Sequence, residues 1–456
     1  MPASTTLLQR LLTAGAALSL IAAIGVNASV ARAITAPTIT ILDINPSGDS
    51  YAMDEDDDES VAFNGGLLFQ ADNGTNDYEL YKSDGTIAGT VLVKDINPTG
   101  GSYIDNMIVM GSNAYFQATD GTNGSELWKS DGTEAGTVMV KNINPTDDSS
   151  PRNFAVVGST LYFRADDGTN SDELWKSDGT EAGTVMVKDI NTSGDSYPDD
   201  LTAVGSTLFF EATDGTNGDE LWKSDGTSAG TVMVKDINTS GDSYPDDLTA
   251  VGSTLFFEAT DGTGYELWKS NGTSAGTVMV KDINTGGESY PNELTAVGST
   301  LFFEANDGTN GDELWKSDGT SAGTVMVKDI NVGGGGSYPE FFRRHGDLLY
   351  FFADDGTNGD EVYLSDGTEA GTIRIPAPAA TNYVNCDCYD NPIRSTAVGV
   401  FFTYYDATVG HELGFVSDLL PETNASGNGL ALALLALSGA LAAGAVIARR
   451  KELRAN

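Results

Sequence analysis

The chain has 456 residues, with 66 Asp or Glu against 24 Lys or Arg and a formal net charge of −42. It has no basic stripe with which to displace counterions from a phosphate backbone, which excludes nucleic-acid binding. Hydrophobic residues at 40% and aromatics at 9% suffice for a packed core, while two cysteines and two histidines exclude a disulfide scaffold, a multi-cysteine zinc fold and a histidine-centred site.

In chain order, residues 1–33 read as a signal peptide. Arg10 supplies the positive start, residues 11–26 are apolar, and Ala31-Arg32-Ala33 is a small-x-small motif that places cleavage after Ala33. A lone strand over 38–44 opens the mature chain. Residues 54–59, a run of Asp and Glu, read as a solvated loop. A repeat then takes over. Glu-Leu-aromatic-Lys-Ser-Asp/Asn-Gly-Thr recurs with its aromatic at Tyr81, Trp128, Trp175, Trp222, Trp268 and Trp315, with a looser copy at Tyr363, in steps of 46 to 48 residues. Residues 412–418 are a degenerate eighth copy.

Within one unit, residues 201–204, 208–212, 220–224 and 231–237 are short β-branched and aromatic segments separated by Asp-Gly turns. Four short strands per repeat of about 47 residues predict propeller blades. Fourth strands start at Ile39, Val91, Val138, Val185, Val232, Val278, Val325 and Ile373. The last unit, with a first strand expected near 398–402, a second near 402–405 and a third at 412, lacks a fourth. The N-terminal strand is its match. The pattern therefore predicts an all-β fold, an eight-bladed β-propeller over residues 34–419 closed by the N-terminal strand.

The repeat resembles that of the ELWxxDGT repeat proteins, a set of secreted bacterial proteins. The resemblance implies a repetitive extracellular domain and brings no activity with it.

Residues 420–456 read as a cell-surface anchor. Leu420-Pro421-Glu422-Thr423-Asn424 precedes an apolar run over 430–448, and Arg449, Arg450, Lys451 and Arg454 follow. At a rise of about 1.5 Å per residue the run spans roughly 28 Å, close to a bilayer core, and the basic end stays cytoplasmic. The arrangement resembles the sorting signal of sortase substrates, a Leu-Pro-x-Thr-Gly pentapeptide, an apolar helix and a basic tail. That resemblance implies cleavage after Thr423 by a sortase-like transpeptidase and attachment to the cell wall. Asn424 stands where the family has Gly, so a retained membrane helix is the alternative. Both place the propeller outside an exporting cell.

The tryptophan column reads as inter-blade core. Asp84, Asp131, Asp178, Asp225, Asp318 and Asp366 read as Asx turns, since Asn271 replaces them in one copy. The loops between second and third strands pair carboxylates across a Gly-rich turn: Asp167 with Asp172, Asp214 with Asp219, Asp307 with Asp312, Asp355 with Asp360. They read either as weak Ca2+ sites or as turn acceptors. On the same face, Tyr197, Tyr244, Tyr290 and Tyr338 follow the fourth strands and form a candidate ligand face for a carbohydrate or protein. Outside the repeat stand Arg343, Arg344 and His345, the pair Cys386 and Cys388, which form a small disulfide or remain thiols, and His411. No catalytic set emerges. The expected function is a non-enzymatic, surface-displayed adhesion or ligand-binding module. The alternative is an extracellular hydrolase or lyase with its site on the propeller axis. Residues 189–216 repeat identically as 236–263, which multivalent binding tolerates better than a single catalytic centre.

Overall fold

The computed structural model describes residues 39–374 apart from 47, 53–58 and 334, together with 393–395, 400–406 and 410–416. Seven four-stranded antiparallel sheets follow one another along the chain. After β1 (Ile39–Leu42) come the first sheet, β2 to β5 (Ser60–Phe63, Gly66–Asp72, Tyr78–Ser83, Val91–Lys94), and the second, β6 to β9 (Asp105–Met110, Asn113–Thr119, Ser125–Ser130, Val138–Lys141). The third is β10 to β13 (Arg152–Val157, Thr160–Asp166, Asp172–Ser177, Val185–Lys188) and the fourth β14 to β17 (Asp199–Val204, Thr207–Thr213, Asp219–Ser224, Val232–Lys235). The fifth is β18 to β21 (Asp246–Val251, Thr254–Thr260, Tyr265–Ser270, Val278–Lys281) and the sixth β22 to β25 (Asn292–Val297, Thr300–Asn306, Asp312–Ser317, Val325–Lys328). The seventh is β26 to β29 (Glu340–His345, Leu348–Asp354, Asp360–Ser365, Ile373–Arg374). A further sheet joins β30 (Ile393–Ser395), β31 (Val400–Asp406) and β32 (Gly410–Val416) to β1, which pairs antiparallel with β32 from Ile39 opposite Val416 to Leu42 opposite Leu413.

Each sheet is an up-and-down meander, and the first strands of consecutive sheets lie side by side from β2 through β26. That is the blade arrangement of a β-propeller. The second strands are buried on both sides, so they read as near-continuous apolar runs. In β15, Leu208, Phe210 and Ala212 pack with Trp222 against Leu174 and Val187 of the third sheet, while Phe209 packs against Leu255 and Phe257 of the fifth. Phe69, Phe116, Phe163, Phe210, Phe257, Phe303 and Phe351 are the equivalent, fully buried rings. Burying each stabilises the fold by about 1.5–3 kcal/mol.

The repeated motif is explained by contacts between sheets. Trp222 is buried, and Lys188 of the preceding sheet places its Nζ 5.5 Å from the ring centroid while donating to the Thr231 carbonyl at 2.9 Å. Lys176 donates to the Gly226 carbonyl at 2.7 Å. Gly226 has φ 84°, and a Cβ there would lie 2.3 Å from the Tyr162 hydroxyl, so the neighbour's approach requires glycine. Asp225 Oδ1 accepts the Thr227 N–H at 2.9 Å, and Asn271 accepts the Thr273 N–H at 3.1 Å, so these positions are Asx turns with either side chain.

Two features depart from the sequence reading. The last set begins at β30, and residues 400–406 form its second strand, so the first strand expected at 398–402 lies earlier. Six of the first strands, β6, β10, β14, β18, β22 and β26, also carry a bulge. Asp199 pairs with Glu211 but Thr202 pairs with Phe209, which leaves Asp200 at φ 51° in the left-handed region.

Candidate ligand-binding face

The chain between one sheet and the next crosses one end of the sheets as a strap. Between the fourth and fifth sheets, the Ser243 N–H donates to the Asp219 carbonyl and the Thr260 N–H to the Ser243 carbonyl, both at 2.9 Å. A buried glutamate, the first residue of the repeated motif, fastens each strap. Glu220 Oε2 accepts the Ile237 N–H at 2.8 Å, and the Ser243 hydroxyl donates to the same carboxylate at 2.5 Å. Glu126, Glu173, Glu266 and Glu313 receive the equivalent donors from Ser149, Ser196, Ser289 and Ser337. Burial pushes Glu79, Glu126, Glu173, Glu220 and Glu313 up to about 7, against the pull of these donors.

Five of these straps present a tyrosine, and the strap held by Glu126 carries Ser150 in its place. Tyr103, Tyr197, Tyr244, Tyr290 and Tyr338 are 59%, 49%, 44%, 51% and 59% exposed. Their φ angles are 46°, 45°, 43°, 43° and 46°, a conformation in which a bulky side chain is strained. Strain of this kind gathers at ligand clamps when the surroundings enforce it. The Tyr197 hydroxyl donates to Asp195 at 2.8 Å, that of Tyr244 to Asp242 at 2.9 Å, and that of Tyr290 to Glu288. Tyr265 stacks on Tyr290 with centroids 5.6 Å apart. The four tyrosines expected from the sequence therefore share exposure and a positive φ, and Tyr103 has both as well.

The loop carboxylates divide into two roles. Asp167, Asp214, Asp307 and Asp355 each accept, on Oδ1, the N–H groups two and three residues on, and each takes an Asn side-chain amide as well. For Asp214 burial raises the pKa, but the donors from Asn217 and Thr216 outweigh it and hold the carboxyl below its ordinary value. The second members Asp172, Asp219 and Asp312 have other neighbours. Asp172 receives Arg152 and Arg164, and Asp312 accepts the Asn306 amide at 3.1 Å. Burial, then the nearby Asp242, raises Asp219. Asp360 opens β28, and its side chain lies outside the described residues. Among the described residues no group of three or more His, Cys, Asp or Glu is placed to hold a metal ion.

The first and second strands of the fourth to sixth sheets hold a second carboxylate group that the sequence reading missed. Burial first, and neighbouring carboxylates next, push Glu211, Glu258 and Glu304 up to about 8. Asp200 rises to about 8 and Asp247 to about 6 for the same reasons. The third sheet differs at the matching positions. There Arg152 and Arg164 both meet Asp172, at 2.7 and 2.5 Å, and the Arg164 guanidinium lies 4.6 Å from the Tyr197 ring centroid. The substitution of Arg for Glu or Gln at this one step of the repeat is visible in the sequence once the copies are aligned.

Ala33, Cys386, Cys388, Leu420, Pro421, Thr423, Asn424 and the apolar run 430–448 lie outside the described residues, as does the His411 side chain. Arg343 and Arg344 are exposed on β26. Among the described residues no helix is long and apolar enough to cross a membrane.

No family model matches the chain, and no curated protein matches it. Solved structures with a similar backbone path include a puromycin hydrolase, at 11% identity and TM-score 0.42, covering 81% of this chain and 58% of that one. A structure from a study of two prolyl endopeptidases matches at 12% identity and TM-score 0.44, covering 78% of this chain and 53% of that one. The β-propeller domain of the Trilobed protease from Pyrococcus furiosus matches at 9% identity and TM-score 0.40, covering 69% of this chain and 96% of that one. The chain thus spans little more than half the length of the two enzymes' chains.

Proposed function

We propose that this protein is a non-enzymatic binding module, an exported propeller displayed on the cell surface that holds a carbohydrate or protein ligand on its tyrosine-bearing face. The observation that carries the reading is the row of half-exposed tyrosines held at positive φ by buried Glu–Ser fastenings. Aromatic rings set among Asp, Asn and Thr give apolar area with flanking hydrogen-bond groups, which is the composition of a polar-ligand surface. The proposed scaffold is eight blades closed by the N-terminal strand. The β1–β32 pairing and the placement of β30 beside β2 support it. The surface anchor is proposed from residues 420–456 alone.

The alternative, a hydrolase or lyase on the axis, has in its favour the carboxylates Glu211, Glu258 and Glu304 raised to about 8. Their environments are alike, however, and acid–base chemistry needs carboxylates held in different protonation states. The test is a glycan and protein array probed with the full chain and with the quadruple variant Tyr197→Ala, Tyr244→Ala, Tyr290→Ala, Tyr338→Ala. Aromatic stacking is worth about 0.5–1.5 kcal/mol per ring, so the variant lacking four rings is expected to lose at least tenfold in binding at an unchanged circular dichroism spectrum. Undiminished binding places the ligand elsewhere.

A further inference from the structure

The third and fourth sheets share a backbone frame but differ in the charges around it. In the third, the Asp172 N–H donates to Asp195 Oδ1 at 3.0 Å and the Tyr197 hydroxyl to Asp195 Oδ2 at 2.8 Å. In the fourth, the Asp219 N–H donates to Asp242 Oδ1 at 3.1 Å and the Tyr244 hydroxyl to Asp242 Oδ2 at 2.9 Å. The third-sheet copy is filled from within. Arg164 lays its guanidinium over the Tyr197 ring and donates to Asp172, and Arg152 donates to the same oxygen.

The strand registers fix what stands at those two positions in the fourth sheet. Arg152 pairs with Arg164 across β10 and β11, and Asp199 pairs with Glu211 across β14 and β15. Two cations are thus replaced by two carboxylates, while the aspartate and the tyrosine stay. Among the described residues no cation lies over the Tyr244 ring. Tyr244 is 44% exposed. The other copies are less complete. Tyr265 replaces the aspartate and stacks on Tyr290 in the fifth sheet, and Gly336 stands in the sixth where Asp242 stands in the fourth.

We propose that Asp219, Tyr244 and Glu211 form a guanidinium-binding site that takes an arginine side chain of a cationic peptide segment, in the geometry that Arg164 adopts with Asp172 and Tyr197 one sheet earlier. The planar guanidinium stacks on a tyrosine while its N–H groups reach carboxylates to the side, which a lysine ammonium does less well. A chain of net charge −42 also attracts a cationic partner over long range. The internal arginine shows the same aspartate–tyrosine frame holding a guanidinium in the third sheet. The proposal rests on the reading of the tyrosine face as a binding surface and names one ligand class for it.

The test is calorimetric titration of the full chain in 0.15 M salt with three probes: a capped tri-arginine peptide, its tri-lysine counterpart and free arginine. The arginine peptide is expected to bind about fivefold more tightly than the lysine peptide. Free arginine binding as well as the peptide would reassign the site to a small guanidinium compound and overturn the peptide assignment. Tyr244→Ala and Asp219→Asn are each expected to weaken the peptide about tenfold. The decisive variant is Glu211→Arg, which rebuilds the internal plug. It is expected to abolish the tightest site with the melting temperature unchanged or raised. Equal binding of the two peptides, or full binding by a folded Glu211→Arg protein, overturns the proposal. Glycan binding that survives Glu211→Arg, with no arginine binding in the parent, overturns the guanidinium site and leaves the binding face standing.

Discussion

A tyrosine at φ 43° is the point where one residue serves the surface at the expense of the fold. Tyr244 makes its backbone bond, N–H to the Asp219 carbonyl at 3.2 Å, and its hydroxyl bond to Asp242 at 2.9 Å, yet its Cβ is crowded in the left-handed region. Glycine adopts that conformation freely. The strain released is of the order of 1 kcal/mol, partly offset by the greater entropy glycine has when unfolded. Tyr244→Gly is therefore expected to leave the melting temperature unchanged or raise it slightly, while ligand binding falls. A clear drop in melting temperature would mean that the ring holds the strap, and that its exposure is incidental. The motif residues behave in the opposite way. Glu220, Trp222, Lys223 and Ser224 all bond or pack within or between sheets, so the part of the sequence that repeats most strictly is scaffold. Function has to be sought in what varies around it, such as Arg164 against Glu211.

At the scale of strands, the element that joins the start of the described chain to its last sheet is β1. Its four residues, Ile39 to Leu42, provide the outer strand for β32 and carry Leu42 into the cluster with Leu67, Phe69 and Leu413. Deleting residues 34–45 is expected to lower the melting temperature by several degrees and expose the β32 edge to association, read by calorimetry and light scattering. An unchanged melting curve would argue against closure by this strand. The pairing of β1 with the final set was legible because fourth strands and first-to-third sets could each be counted along the chain. The start of that set was not. Residues 376–394 carry no copy of the motif, so nothing marked β30 at Ile393–Ser395. The bulge on the first strands β6, β10, β14, β18, β22 and β26 was hidden for a different reason. Asp199-Asp200 reads as loop before Leu201, and only the structure shows a left-handed Asp200 whose carboxyl meets Asp246 of the next sheet. The tyrosine face could be read from spacing, whereas the Arg152–Arg164–Asp172 group needed the pairing of two strands.

Over the whole molecule the dominant imbalance is 66 acidic against 24 basic side chains, and part of that excess is buried. Glu79, Glu126, Glu173, Glu220 and Glu313 stand at about 7, and Glu211, Glu258 and Glu304 at about 8, against an ordinary value of 4.5. A carboxyl raised in the folded state keeps its proton where the unfolded chain has lost it. Its contribution to stability is complete below 4.5 and is lost as pH rises through 7 to 8. The turn aspartates act in the other sense. Asp84, Asp131, Asp178 and Asp225 are held low by the side-chain and backbone donors of the threonine two residues on, so their contribution fades only in strong acid. Melting temperature is therefore expected to peak near pH 5 and to fall steadily toward pH 8.5. Replacing Glu211, Glu258 and Glu304 together by Gln is expected to flatten the limb between pH 6 and 8.5, because three of the highest-titrating groups are gone. A pH profile that is flat from 5 to 8.5 in the parent would show that these carboxyls are solvated and ionise normally. Salt screens the repulsion among the carboxylates that ionise on this limb, so NaCl is expected to raise the melting temperature at pH 8.5 and to do less at pH 5. Calcium at matched ionic strength separates screening from binding. A rise beyond that given by NaCl would mark specific sites at Asp167, Asp214, Asp307 and Asp355, whose oxygens would then exchange turn N–H donors for the ion.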